Sequence, residues 1–346
     1  MKSKIDIRQL SLEDLKKHFE KINEKLFWSK QVYEWLWKKR ATSFEEMTNL
    51  SKPLREKLNE YFEIRAVVLS ETQQSKDRTI KNAFSLADQS VVEGVLIPSK
   101  KRMTACVSVQ VGCSLSCVFC ATGKLKRVRN LNSDEIYDQV VLISSQAQDT
   151  YGIPLSNIVY MGMGEPLLNY KNVISSIDKI TSKDGLGMSP KRITVSTAGI
   201  AKMICQLADD QVRFNLALSL HAANDEKRNK IMPINESNTL EALEESMKYF
   251  SDKTNSRPTL EYIIFKDFND QIEDAIELVK FCKSFPTKIN IIEYNSIDDG
   301  VYQQADKEKV DAFAEYLESK NLIVNIRRSR GKDIDAACGQ LANKNN

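Results

Sequence analysis

Two periodicities divide the chain. Over residues 1 to about 70, apolar positions recur at helical spacing. Ser11 and Asp14 open LEDLKKHFEKIN, whose Leu12, Leu15 and Phe19 share a side. KQVYEWLWKKR carries Val32, Trp35 and Leu36 in the same way, and Ser51 with Pro53 starts LREKLNEYF. From about residue 74 the period shortens to two. NAFSLADQSVVEGVLIP predicts a hairpin turning near Asp88–Gln89. Its second strand puts Val91, Glu93, Val95 and Ile97 on one face and Val92, Gly94 and Leu96 on the other. From residue 104 onward short apolar runs alternate with amphipathic stretches. The predicted strands are Cys106–Val109, Ile158–Met161, Ile193–Ser196, Phe214–Ser219, Leu260–Phe265, Ile289–Ile292 and Leu322–Ile326. The predicted helices are Ser133–Ser145, Lys171–Thr181, Ile200–Ala208, Leu240–Phe250, Ile272–Cys282 and Lys307–Ser319.

This alternation implies an α/β fold with a parallel sheet and right-handed crossovers. Six or seven units are too few for an eight-unit barrel, so the expected architecture is a partial (β/α)6-type parallel barrel, with ligands at the C-terminal strand ends. The expected division is 1–72 for a small helical domain, 73–103 for a β-hairpin linker carrying Glu93, and 104–346 for the barrel.

Polar residues collect where those strands end: Gly162-Met163-Gly164-Glu165-Pro166, Ser196-Thr197-Ala198-Gly199, Ser219-Leu220-His221 and Tyr294-Asn295. Glycines let backbone approach a ligand, and Glu165 suits an ammonium group. After the first barrel strand comes CSLSCVFC, with Cys113, Cys117 and Cys120 in C-x3-C-x2-C spacing. Three thiolates can hold three irons of a 4Fe–4S cubane and leave the fourth open to a small molecule, whereas an electron carrier normally closes every iron. A structural zinc site is the competing reading; it needs a fourth ligand, and ATGKLKRVRN supplies no Cys or His. Glu93 lies among apolar neighbours, where burial suits a proton-exchanging carboxylate and an edge strand would leave it in water.

Composition narrows the picture. Lys plus Arg is 50 against 47 Asp plus Glu, a net charge of +3, so any basic footprint for nucleic acid is local. The candidates are Lys124–Arg129 beside the cysteine loop, otherwise a solvated charged loop, and Lys38–Arg40 beside Trp35 and Trp37, otherwise a packed helix with a basic end. Seven cysteines, three of them clustered, fit a reducing cytoplasm better than a disulfide framework. The charged start, MKSKIDIRQLSLEDL, has no apolar leader, and no run is long enough for a membrane span. Two histidines, His18 and His221, argue against a His-rich metal site. Cys205, Cys282 and, on its own, Cys338 read as small buried hydrophobes.

CVSVQVGCSLSCVFCATG, MGMGEPLLN, SLHAANDEKRNKIMPIN and RGKDIDAACGQL resemble the RlmN/Cfr family of radical S-adenosylmethionine (SAM) RNA methyltransferases. The likeness runs from about residue 80 nearly to the end. GEPLLN resembles the RlmN branch, since Cfr proteins tend to have Ala at the positions of Pro166 and Leu168. The resemblance implies methylation at carbon 2 of an adenine in 23S rRNA and in tRNAs; the Cfr-type reaction at carbon 8, or a non-catalytic iron–sulfur redox protein, is the alternative. It implies one 4Fe–4S cluster on Cys113, Cys117 and Cys120. It implies SAM bound by Gly164, Glu165, Ser196, Ser219, Leu220, His221 and Asn295, with Glu93 as proton-transfer residue.

The implied chemistry uses two SAM molecules per turnover. Carbon 2 of adenine is electron-poor and resists polar methyl transfer. One SAM methylates Cys338 by displacement, which requires a thiolate. The other yields a 5′-deoxyadenosyl radical that removes a hydrogen atom from that methyl group, and the methylene radical adds to the ring. Cys106 resolves the covalent adduct, leaving a disulfide bond that must be reduced. The resemblance also implies a donor such as flavodoxin or ferredoxin, a monomer, and no membrane partner.

Overall fold

The computed structural model describes residues 4–100 and 102–343. The charged start considered above falls partly on residues 1–3, outside the described residues. Ten strands form one sheet: β1 (Val68–Gln74), β2 (Ile80–Ser85), β3 (Val91–Ser99), β4 (Arg102–Cys106), β5 (Asn157–Tyr160), β6 (Ile193–Thr197), β7 (Asn215–Ser219), β8 (Thr259–Ile264), β9 (Lys288–Glu293) and β10 (Ile323–Arg327). Spatial order repeats chain order. Neighbours are antiparallel from β1 to β4 and parallel from β4 to β10.

The helices are α1 (Leu12–Lys21), α2 (Phe27–Trp37), α3 (Lys52–Tyr61), α4 (Ser133–Tyr151), α5 (Tyr170–Thr181), α6 (Ala201–Asp209), α7 (Asp225–Ile231), α8 (Leu240–Thr254), α9 (Ile272–Phe281) and α10 (Lys307–Ser319). From α4 onward they lie in the six crossovers between β4 and β10. β1 and β10 remain as edges, so the barrel is partial and open, as the α/β pattern predicts. Local chemistry sets the helix ends. The Ser11 and Thr239 hydroxyls cap the first turns of α1 and α8, Asn132 and Glu135 form a capping box on α4, and Gly152 at φ +64° ends it.

Alternation along the parallel strands sorts side chains into two layers. Leu216, Leu218, Leu260, Tyr262, Ile264, Ile289 and Ile291 belong to the large core shared with the helices. Ile263, Phe265 and Ile292 face the lumen and pack with Leu115 and Phe119 of the cysteine loop. Odd-numbered residues of β8 and even-numbered residues of β9 therefore line the lumen.

Several elements differ from the sequence expectation. The first barrel strand ends at Cys106 instead of beginning there. Val107 and Val109 are buried, but their backbone bonds go to Val159, Gly162 and Met163 at the end of β5 and just beyond it. β1 lies inside the stretch read as helical; as an exposed edge strand it carries no apolar alternation. The hairpin is not a linker but continues the sheet. α7 was not predicted; it has seven residues and the Asn224 side chain caps it. On α2 it is Trp37, with Val32 and Leu36, that is buried, while Trp35 is half-buried and hydrogen-bonds Asn49. The N-terminal helices dock on α4 through buried Arg8, whose guanidinium lies 2.7 Å from Asp138 and 3.4 Å from Asp134.

Candidate active site

The loop that follows β4 carries the three clustered cysteines. The Cys113 N–H bonds Leu125 O at 3.2 Å, the Cys120 N–H bonds Cys117 O at 3.2 Å, and the Val118 N–H bonds Ile231 O at 3.1 Å. A Cβ on Gly123 would sit 2.6 Å from Cys117 O, so this turn closes only without a side chain. The three sulfurs pack against the apolar lumen cluster. Burial, then the neighbouring thiols, hold all or part of their titration high: Cys117 is raised by burial and by Cys120 and Cys113, and Cys113 by burial and by Cys120. Cys120 is raised by burial. Among the described residues no three His, Cys, Asp or Glu side chains converge on a single ion.

The strand-end residues meet above this loop. Glu165 is buried and its carboxylate accepts the N–H groups of Leu167 at 2.9 Å and Ala198 at 2.8 Å; burial raises its pKa above the carboxylate range. Ser196 Oγ and Ser219 Oγ are 3.3 Å apart. His221, at φ +58°, accepts the Ile263 N–H at Nδ1 (3.1 Å), and burial pushes its pKa down to about 3. It is therefore a neutral ring carrying its proton on Nε2. Asn295 donates to Cys338 O at 3.3 Å, and its Oδ1 is buried without a partner among the described residues.

Cys106 is buried at the end of β4; Cys338, in the C-terminal segment, keeps part of its surface open to solvent while protein atoms crowd around it and desolvate its thiol. Burial, then Cys338, pushes the Cys106 thiol up to about 12; burial, then Cys120 and Glu261, pushes Cys338 up to about 11, and Arg327 draws both back. Cys338 thus lies within electrostatic range of Cys106, and Arg327 acts on both. The segment around Cys338 is held to the cysteine loop: the Ala121 N–H bonds Gly339 O at 2.7 Å and the Thr122 hydroxyl bonds Leu341 O at 2.6 Å.

Glu93 is 3% exposed, which decides between its two sequence readings in favour of burial. Its Oε1 lies 3.5 Å from the buried Lys81 ammonium, and Oε2 accepts the N–H groups of Ala342 (2.8 Å) and Asn343 (3.1 Å).

Residues 5–64 match the ribosomal RNA large subunit methyltransferase N-terminal domain, and residues 107–279 match the radical SAM superfamily. A probable dual-specificity RNA methyltransferase RlmN from Christiangramia forsetii is 58% identical over 99% of this chain and 97% of its own length. Its counterpart in Cytophaga hutchinsonii is 60% identical over 98% and 93%. The chain belongs to the RlmN family of radical SAM methyltransferases. A crystal structure of a radical SAM methyltransferase from Sphaerobacter thermophilus superposes with a TM-score of 0.91 at 32% identity, covering 97% of this chain and 99% of that one. RlmN enzymes, as members of that superfamily, use a 4Fe–4S cluster and SAM, and the donor set fits them. Three soft sulfur donors share one apolar-walled surface, and carboxylate Glu165 stands beside Cys113.

Two features of the site carried no sequence signal that was used. Arg228, fully buried, donates to Leu220 O, Asn235 Oδ1, Ala198 O and Ser219 O, tying the ends of β6 and β7 together beside Cys117. Lys81 is the buried partner of Glu93. For Lys81 the available signal is a charge beside Ile80, Ala83 and Phe84 in a strand; Arg228, set among Asp225, Glu226, Lys227 and Lys230, offers none. Conversely, Arg129 is not free for a ligand: its guanidinium spans Glu135 at 2.8 Å and Asp88 at 2.6 Å.

Proposed function

We propose that the chain methylates carbon 2 of a specific adenine in 23S rRNA and in tRNAs, with Cys338 as the methyl-carrying residue and Cys106 as the resolving one. The observation that carries this reading is that the segment bearing Cys338 is bonded to the cysteine loop, Ala121 N–H to Gly339 O at 2.7 Å and the Thr122 hydroxyl to Leu341 O at 2.6 Å, which brings Cys338 within electrostatic reach of Cys120 and Cys106 despite their distance in sequence. Cys113, Cys117 and Cys120 hold the cluster; Gly164, Glu165, Ser196, Ser219, Leu220, His221 and Asn295 hold SAM. When bound, the cluster supplies the electron for reductive SAM cleavage. The Cys338 sulfur, as thiolate, displaces a methyl group from SAM, and Arg327 favours that ionised form. Asn295 fixes the Cys338 backbone, which orients the sulfur. In resolution the Cys106 thiolate attacks the Cys338 sulfur; the carbon–sulfur bond breaks, its electron pair stays on the methylene carbon, which takes up a proton to become the methyl group, and the disulfide left behind is reduced by two electrons and two protons from the donor. Glu93 moves a proton in these steps once its oxygen is released by the Ala342 and Asn343 amides.

Exposed Lys124, Lys126 and Arg127, together with Lys38–Arg40, are the phosphate-facing candidates. The target adenine must leave its stack to enter the lumen. In this reading the chain is a cytoplasmic monomer served by a reducing donor such as flavodoxin or ferredoxin. The RlmN-branch sequence GEPLLN favours carbon 2, with Pro166 buried at the start of the turn that follows Glu165. Mass spectrometry of nucleosides from rRNA and tRNA treated anaerobically with enzyme, SAM and reductant tests the proposal. It is expected to find 2-methyladenosine; 8-methyladenosine alone, or no methylated adenine, overturns it.

A further inference from the structure

Glu261 is a carboxylate in the middle of the lumen wall that neither the cluster nor the SAM residues above employ. It is 4% exposed. On β8 it lies in register with Ser219 on one side and Asn290 on the other, and Asn290 with Asn325 beyond. Alternation puts it on the same lumen face as Ile263 and Phe265, which pack with the cysteine-loop residues. Its Oε1 accepts the Asn290 amide at 2.8 Å and lies 3.9 Å from the Arg327 guanidinium. Asn290 in turn accepts from Asn325 at 3.4 Å. Oε2 is buried with no hydrogen-bond partner among the described residues. A buried acceptor left unpaired is costly, so a fixed carboxylate with one oxygen satisfied and one vacant is built to meet a donor.

The position of Glu261 identifies the donor. Ser196 and Ser219, on the β6 and β7 side, belong to the proposed SAM site. Arg327, on the β10 side, acts on both Cys106 and Cys338, and Glu261 itself acts on Cys338. The carboxylate therefore stands between the cofactor side and the reacting sulfurs, where the base must lie. Adenine carries one exocyclic amine, and its ring nitrogens are acceptors. Building on the RNA methyltransferase reading, we infer that Glu261 is a specificity-determining residue whose free oxygen accepts the exocyclic amine of the target adenine. Asn290 and Arg327 hold the other oxygen and keep the carboxylate from turning. Guanine would place its carbonyl oxygen at this point, so two acceptors would face each other and the wrong purine would be rejected.

The test pairs a protein change with a base change in the anaerobically reconstituted holoenzyme. RNA fragments carry adenosine, purine riboside (which lacks the amine) or guanosine at the target position. For the wild type, purine riboside is expected to lower kcat/KM about 10- to 100-fold, the loss of one hydrogen bond to a buried carboxyl oxygen. In Glu261→Gln that penalty should shrink to about threefold or less, while SAM affinity by equilibrium dialysis stays within about twofold. A wild type indifferent to the amine overturns the inference and needs no variant that must fold. Retention of the full penalty in Glu261→Gln, or a large loss of SAM affinity there, overturns it too, the latter assigning the carboxylate to the cofactor. Failure of the wild type to methylate the adenosine substrate would instead sink the underlying reading.

Discussion

The parallel half of the sheet, β4 to β10, and its antiparallel extension, β1 to β3, divide the work unequally. The parallel half holds the cysteine loop, the strand-end residues and Cys106. The extension holds the chain segment that carries Cys338. Glu93 binds the Ala342 and Asn343 amides, Val91 O accepts from the Asn343 side chain at 2.8 Å, Asp77 accepts the Gly331 N–H at 3.0 Å, and the Ser75 hydroxyl donates to Asp333 at 2.5 Å. From the other side, Asn295, Gln340 and Thr122 join the same segment to the barrel. The parallel half thus supplies the cysteine loop and Cys106, while the extension supplies Glu93 and fixes where Cys338 stands. The proposed mechanism calls for that anchoring, because in it Cys338 is held near the base and still yields its product to Cys106.

Changes at the two reacting cysteines should abolish chemistry without loosening the fold. Cys338→Ala is expected to keep its iron and sulfide but to neither carry a methyl group nor methylate RNA; normal turnover would remove this residue from the mechanism. Cys106→Ala should trap a protein–RNA adduct, seen as a slow-migrating band that resists denaturant, and free product release would contradict the resolving role. In the extension, Lys81→Met strands a buried carboxylate, with an expected loss of about 3–5 kcal/mol in denaturant unfolding. Hydrogen exchange in residues 331–343 should rise in that variant, and an unchanged profile would detach the ion pair from the tail. Asp77→Ala removes hydrogen bonds at the start of the same segment and should cost about 1 kcal/mol, with faster exchange confined to it.

A further effect concerns pH. Burial, then Arg228, holds the His221 pKa down to about 3, while the unfolded chain takes up a proton below about 6.5. The unfolded state binds more protons in that window, so this residue's contribution to stability falls as pH drops from about 6.5 toward 3. His221→Asn, which keeps an acceptor for the Ile263 N–H, should flatten that part of the thermal-midpoint profile.

Most of the parallel half was legible because its strands are short apolar runs separated by helical periods. The C-x3-C-x2-C spacing and the strand-end polar residues lie where those periods put them. The extension was harder to read. β1 is an edge strand whose VLSETQQ offers no alternating pattern, and helical spacing ran over it. The anchoring of Ala342 and Asn343 by Glu93 spans most of the chain, and no local pattern encodes such a contact. Glu261 and Arg228 went unused for a related reason. Glu261 is one charge in a buried strand and Arg228 one of several charges on a short helix, and the meaning of each depends on which neighbours the fold delivers. The pattern that marks Glu93, a carboxylate among apolar strand residues, marks Glu261 as well but not Arg228.

The most direct test is peptide mass spectrometry of the wild-type protein after incubation with SAM and reductant, followed by RNA. The account predicts one added methyl group on the peptide containing Cys338 before RNA is added, and its loss with the appearance of 2-methyladenosine afterwards. A methyl group found on any other cysteine, or methylated RNA formed while Cys338 remains unmodified throughout, would contradict it.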